Sequence, residues 1–283
     1  MDTRFWGPPG WRLLHLISVS DALQRNPGAV REWFTLMAYV LPCKFCRASY
    51  TEYITEDPIP RSRRTEDLAR WLWSLHNKVN AKLRSQHLPT APDPSFNSVL
   101  TLYKDRLAAG CTKTEFEGWD FLFAIAENHP YSRNGRNSQP MPDMPTECQG
   151  RTALSDLERN RWNILSPVRR MRYYSRFWYL LPKVLPYREW EAAWLGGRPV
   201  LQSRPLLLKW LWGRRCEMET KLELLNRDRF DQVCARLAEA RSGCGSKKRA
   251  KTCRSHNSNI RVMKGAGVKG GHRTRRILRG QRQ

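Results

Sequence analysis

The chain has 283 residues, and its 50 Lys and Arg against 26 Asp and Glu give a net charge of +24. Hydrophobic residues make up 40%, enough for one large packed unit or two ordinary ones, and no run approaches eighteen successive apolar residues, so no helix is expected to span a membrane. The charge is uneven: residues 241–283 hold fourteen Lys or Arg and no acid, leaving +10 for the first 240. Such a tail suits contact with nucleic acid or an anionic surface.

The start MDTRFWGPPGWRLLHLISVS lacks a basic n-region, an apolar run and a small-residue cleavage site, so we expect no secretion signal and a protein kept in the cytoplasm or nucleus. In that compartment eight cysteines do not build a static disulfide framework. Residues 10–23 place Trp11, Leu14, His15 and Ser18 on one helical face. Residues 30–41 repeat the pattern with Trp33, Phe34, Met37 and Val40. Pro42 then predicts that Cys43 stands at the N-terminus of a helix over 43–55. The stretch 57–64 is a loop, Thr65 caps a helix through Leu83, 89–95 breaks the chain, and 96–108 closes the unit. No segment alternates with period two, and the fold class is all-α.

Degenerate echoes follow in the same order. Trp119-x-x-Leu122-Phe123 echoes Trp11-x-x-Leu14-His15, and LLPKVLPYREW (180–190) echoes LMAYVLPCKFC (36–46). Tyr187 and Trp190 then stand where Cys43 and Cys46 do. KWLWGRRCEMETKL (209–222) echoes RWLWSLHNKVNAKL (70–83), which puts Arg215 at the place of His76. Residues 131–162 read as an insertion. The expected organisation is a working unit over 1–108, a degenerate helical copy without the cysteine pair over 109–240, and a disordered basic tail over 241–283.

Cys43-Lys44-Phe45-Cys46 carries the chemistry. A helix N-terminus stabilises thiolates, and Lys44 and Arg47 add positive charge. Zinc is the competing reading of C-x-x-C, but the first unit offers no clean second ligand pair, so no metal is expected. His76, Asn77 and Asn80 form a second cluster, with His76 and Asn80 on one helix face. Two Asn within a helix suggest recognition of a polar aromatic ligand, with Lys82 placed for a phosphate. A solvated helix face is the alternative, and Trp71 and Trp73 just upstream weigh against it.

Together these residues resemble the Erv/ALR family of FAD-linked sulfhydryl oxidases over about residues 5–105. Trp11-x-x-Leu14-His15 is similar to the family's first-helix motif, the run with Phe34, Tyr39, Pro42, Cys43 and Cys46 to its redox helix, and His76-Asn77-x-Val79-Asn80 to its adenine and ribose motif. The opening WGPPGW and the degenerate second half look most like the oxidases of large DNA viruses, which adds the virion to the expected locations. The resemblance implies a helical bundle holding FAD, with Cys43 outermost and Cys46 beside the flavin. Trp11, His15, Tyr39, His76, Asn77, Asn80, Lys82 and Tyr103 are the implied cofactor contacts. It also implies protein dithiols as substrates, dioxygen as acceptor and hydrogen peroxide as product. The second copy would take the place of a partner within one chain, or the chain would form a homodimer. Two departures stand out: Arg84 and Ser85 occupy the stretch where the family often has a second Lys, and the family's structural disulfide around this helix is absent. Cys244 and Cys253 are either a shuttle pair or idle thiols, the latter favoured because C-x8-C is unspecific. The competing function is a nucleic-acid-binding or virion structural protein on a vestigial oxidase fold.

Overall fold

The computed structural model describes residues 1–132, 139–148, 153–195 and 197–242. The basic tail beyond Ser242, with Cys244 and Cys253, lies outside the described residues. Among the described residues every regular element is a helix, and no strand occurs.

Helix α1 (Thr3–Val19) begins seven residues before the expected start and ends four before the expected end. The Asp2 carboxylate opens it by accepting from the Arg4 N–H at 2.9 Å. Pro8 and Pro9 lie inside it, where each removes a backbone donor. Burial of Trp6, Gly10, Leu13, Leu14 and Ile17 offsets that loss. Gly10 is required by packing, since a Cβ there would meet the Phe121 ring at 2.9 Å. The Ser20 N–H then bonds Ile17 O, and a short α2 (Ala22–Arg25) leads into α3 (Pro27–Val40). Pro27 fits the first turn of α3, which buries Val30, Trp33, Phe34, Met37 and Val40.

Leu41 turns to φ −48° and ψ 131° ahead of Pro42, as a residue before proline must. Cys43 is extended and caps α4 (Lys44–Glu56). Helix α5 (Thr65–Ser85) carries Glu66 and Asp67 in its first turn and Lys82 and Arg84 in its last, both matched to the helix dipole. Arg64, one residue before the expected Thr65, is its cap and gives no side-chain bond. The Ser95 hydroxyl accepts from Ser98 N–H at 3.1 Å and starts α6 (Phe96–Ala108).

The second half continues with α7 (Trp119–Glu127), α8 (Asp156–Arg161), α9 (Pro167–Val184), α10 (Arg188–Trp194), α11 (Arg204–Leu222) and α12 (Phe230–Ser242). In the first half α1 packs on α5 and α6, and α3 packs on α4; in the second, α7 packs on α11 and α12, and α9 packs on α10. The halves meet through α1 against α7 and α3 against α9, the latter the most extensive helix pair of the molecule. Trp33 stacks on Phe177 at 5.2 Å in that seam, and one hydrophobic core runs through both halves. The stretch between α7 and α9, read as an insertion, is part of this packing: α8 lies on α3 and α4.

Candidate functional site

Helix α4 presents chemistry on two flanks. Cys43 is its N-cap, with an extended backbone, and its carbonyl accepts the Arg47 N–H at 3.0 Å. Cys46 follows in the first turn and is half-buried. On the same flank as Cys46 lie Ser49 and Tyr53, at i+3 and i+7, facing α5. Lys82 of α5 donates to the Ser49 hydroxyl. The Lys78 ammonium stands 6.0 Å from the Tyr53 ring centroid. Burial raises the Tyr53 phenol pKa, with Glu52, Glu56 and Cys46 adding to the effect, so Cys46 and Tyr53 share one local field. The other flank faces the second half. Arg161 pairs with Glu52 at 2.5 Å, and Arg47 bonds Asn163 at 2.9 Å.

Helix α5, whose Lys82 reaches Ser49, also joins α1 and α6 in a ring cluster. The Trp11 indole stacks on His76 at 3.9 Å and 10°. His15 Nε2 lies 3.1 Å from His76 Nδ1, and the His15 ring stacks on Tyr103 at 4.9 Å. Burial pushes His15 down to about 3, with His76 adding to the effect. Burial also pushes His76 down to about 4, partly opposed by Asp93. Both rings are therefore neutral near pH 7, and one N–H donates to the other ring.

The structure thus gathers Trp11, His15, His76 and Tyr103 in contact. It puts Asn80 and Lys82 on the same helix as His76. Asn80 Nδ2 donates to Asp93 at 2.8 Å, and Arg84 pairs with the same carboxylate at 2.5 Å. Arg84 is thereby committed to Asp93, and Lys82, with Lys78 at the Tyr53 ring, brings positive charge to the Cys46 flank of α4. Asn77 is half-buried and makes no side-chain hydrogen bond among the described residues. Tyr39 stands elsewhere, stacked on Tyr173 of α9 at 3.8 Å and 6°. Cys43, expected outermost, is the more buried of the pair at 3% exposure. The N-terminal amine reaches Pro42 O beside it, and Lys44 Nζ bonds the carbonyls of Gln139 and Pro140 at 3.1 and 3.4 Å.

Sequence reasoning missed Ser49, Tyr53, Asp93 and Asn163. The helical spacing of Ser49 and Tyr53 from Cys46 was a usable signal. The capping box of Ser155 and Glu158 announced α8, which carries the chain to Asn163. A groove of about 210 Å³ behind Tyr103, lined in part by Arg12, Arg106, Glu117 and Tyr187, does not reach the cysteine pair.

A sequence profile described as the Erv1 / Alr family matches residues 9–97, the stretch that holds the cysteine pair and the ring cluster. An FAD-linked sulfhydryl oxidase of African swine fever virus is 33% identical over 84 residues, 29% of this chain and 70% of the viral protein. The chain belongs to the Erv1/Alr family. The mitochondrial FAD-linked sulfhydryl oxidase of Saccharomyces cerevisiae is 33% identical over 86 residues, and a probable FAD-linked sulfhydryl oxidase of Acanthamoeba polyphaga mimivirus is 27% identical over 85. This chain spans 45% of the length of the yeast protein and 59% of the mimivirus one. No solved structure matches.

The residues present in this Erv1/Alr chain fit a flavin nucleotide by the chemistry of the donor set. Flat aromatic faces, neutral imidazoles, an amide and an ammonium suit a stacked heterocycle, a ribose and a phosphate. The Trp11–His76 stack leaves no gap between those two rings, so a ligand would lie against the cluster and along the α4–α5 groove.

Proposed function

We propose that the chain is a flavin-linked thiol oxidase that makes disulfides in other proteins with Cys43 and Cys46. The observation that carries this reading is that one helix, α5, holds both Lys82, bonded to Ser49 on the Cys46 flank of α4, and His76, stacked on Trp11 and paired with His15. His76, Asn77, Asn80 and Lys82 would hold the adenosine and phosphate end, and Trp11, His15 and Tyr103 would meet the ring faces. Tyr39 would act through its stack on Tyr173, steadying α3 ahead of the pair. FAD, when bound, would accept the two electrons of the reduced pair and pass them to dioxygen as hydrogen peroxide.

The chain's own steps follow from position. A substrate thiolate attacks the oxidised pair and breaks its S–S bond. The second substrate thiol loses its proton and closes the substrate disulfide, leaving two electrons on Cys43 and Cys46; the substrate's two protons go to the reduced pair or to solvent. Attack at Cys43 requires its buried sulfur to become accessible. Attack at Cys46 would compete with the cofactor groove. The neutral imidazoles add no charge of their own to the site while the pair cycles.

The second half is proposed as a degenerate copy that takes a partner's place within the chain. Support comes from equivalent helices meeting equivalent helices, and from Tyr187 capping α10 in the extended conformation in which Cys43 caps α4. A particle of one chain's mass by sedimentation agrees with this; an obligate homodimer opposes it. The fourteen Lys and Arg of 241–283 support a separate affinity for nucleic acid or an anionic surface, which deletion of that tail should abolish and salt should weaken. Host cytoplasm, nucleus or virion is the proposed location. Among the described residues no helix is long and apolar enough to cross a membrane.

The test is oxygen uptake on adding a dithiol to the flavin-reconstituted full chain. The reading expects uptake matched by thiol loss, and less than about 1% of it in Cys46→Ser, since removal of a reacting group costs orders of magnitude. Equal uptake by Cys46→Ser would refute it.

A further inference from the structure

Arg47, one position after the pair, is 3% exposed. Nη1 donates to Leu41 O at 2.9 Å, and Nη2 donates to Asn163 Oδ1 at 2.9 Å. Nε is buried with no hydrogen-bond partner. Among the described residues no carboxylate lies within ion-pair distance of this guanidinium. A second buried cation shares its field: Arg170 of α9 donates to Asn128 O at 3.2 Å, and its pKa is pushed down to about 9 by burial first and by Arg47 second. A buried charge without a counter-ion is costly. The groups near Arg47 that can become anionic are the two thiols: burial lowers the Arg47 pKa, and Cys43 and Cys46 oppose that shift.

Asn163 is shaped for its part. It follows α8 at φ 57°, the left-handed region that Asn tolerates at the end of a helix. Its amide Nδ2 donates to Gln139 O at 2.7 Å, which aims Oδ1 at Arg47. The residue that steers the buried cation therefore belongs to the second half, while the cysteines belong to the first.

We propose that Arg47, positioned by Asn163, is the built-in counter-ion of the Cys43–Cys46 pair, stabilising its thiolate form and making the pair a stronger oxidant of substrate dithiols. The proposal rests on the thiol-oxidase reading. Reduction of the pair breaks its S–S bond, forms one in the substrate and moves two electrons onto Cys43 and Cys46. A cation that favours the resulting thiolate pulls this exchange toward the reduced pair. Besides Arg170, the titratable groups around the pair are Tyr53, which faces Cys46 and is protonated near neutrality, the N-terminal amine, which reaches Pro42 O, and Lys44, which is turned to Gln139 and Pro140.

The experiment equilibrates the full-length protein anaerobically in glutathione redox buffers and counts alkylated Cys43 and Cys46, alongside the pH dependence of alkylation. Asn163→Gly keeps the left-handed backbone and removes the amide; Asn163→Asp keeps the backbone and gives Arg47 a rival carboxylate. For Arg47→Gln and Asn163→Asp we expect an equilibrium about tenfold further toward the disulfide, about 30 mV more reducing, and a thiol titration moved to higher pH. Arg47→Lys should retain most of the parent behaviour, and Asn163→Gly should fall between. If Arg47→Gln does not fold, as circular dichroism would show, the two Asn163 variants decide. Equilibria and alkylation profiles within twofold of the parent in the folded variants would overturn the proposal while leaving the oxidase reading intact. A parent pair that cycles at no glutathione ratio would sink that reading, and this proposal with it.

Discussion

Trp11 and Trp119 open the two halves, and what packs against each differs in kind. Against Trp11 stand His76 and His15, neutral and ring to ring, with Asn80 on the same helix. Near Trp119 stands Arg215, 1% exposed on its side chain, 5.9 Å from that ring and 5.1 Å from Trp212. It is held by Glu219 at 2.6 Å and Asp228 at 3.5 Å. Arg236 braces this network through Asp228 at 2.6 Å and Asp120 at 3.0 Å. The spacing is shared: Glu219 follows Arg215 by four residues, as Asn80 follows His76. One half keeps an uncharged cluster with polar edges available to a ligand. The other places a buried arginine beside its tryptophan and pairs that charge with its own carboxylates.

The comparison can be broken from either side, the largest effect being on turnover. Cys43→Ser should reduce dithiol oxidation by at least about 100-fold while flavin absorbance stays, because the groove does not depend on that sulfur. Arg215→Ala should destabilise the chain by about 3 kcal/mol, at the low end for breaking a buried pair because Glu219 and Asp228 are partly exposed. Urea unfolding would measure it, and flavin binding in the folded fraction should not change. Gly10→Ala pushes a methyl to 2.9 Å from Phe121 in the α1–α7 seam and should cost about 1–3 kcal/mol in the same assay.

Acid should act on the first cluster earlier than on the Arg215 network, whose Asp228 carboxylate Arg236 holds below its ordinary value; the buried His129 of the second half adds to the same loss. His15 and His76 have folded pKa values depressed to about 3 and about 4, so the unfolded chain binds more protons below the ordinary imidazole value. Their stabilisation is fully present above about pH 6.5 and is lost as pH falls toward 4 and then 3. At pH 6 the loss should be up to about 1 kcal/mol for His15, and less for the half-exposed His76. Unfolding midpoints at pH 7, 6 and 5 would show this, and His76→Gln should flatten the slope.

The elements set by local chemistry were legible in the sequence. Pro42 and Cys43 mark the α3–α4 break, and the His76 to Asn80 spacing marks one face of α5. The start of α1 was hidden because Pro8 and Pro9 argue against a helix that only burial of Trp6 and Gly10 against the second half sustains. The role of the 139–163 connection was hidden too. Its capping box announces a helix but not the surface that helix meets. The Arg47–Asn163 bond spans 116 positions, and no periodicity encodes it. Tyr39 was assigned by resemblance to the cofactor, and its stack on Tyr173 is likewise a contact between halves that local pattern does not carry.

The most direct test of the account is the flavin content of the purified full-length chain after reconstitution with FAD, read from its visible absorbance for the parent, His76→Ala and Arg215→Ala. The account predicts one flavin per chain in the parent, little in His76→Ala, and one in folded Arg215→Ala. A colourless parent, two flavins per chain, or full retention in His76→Ala would contradict it.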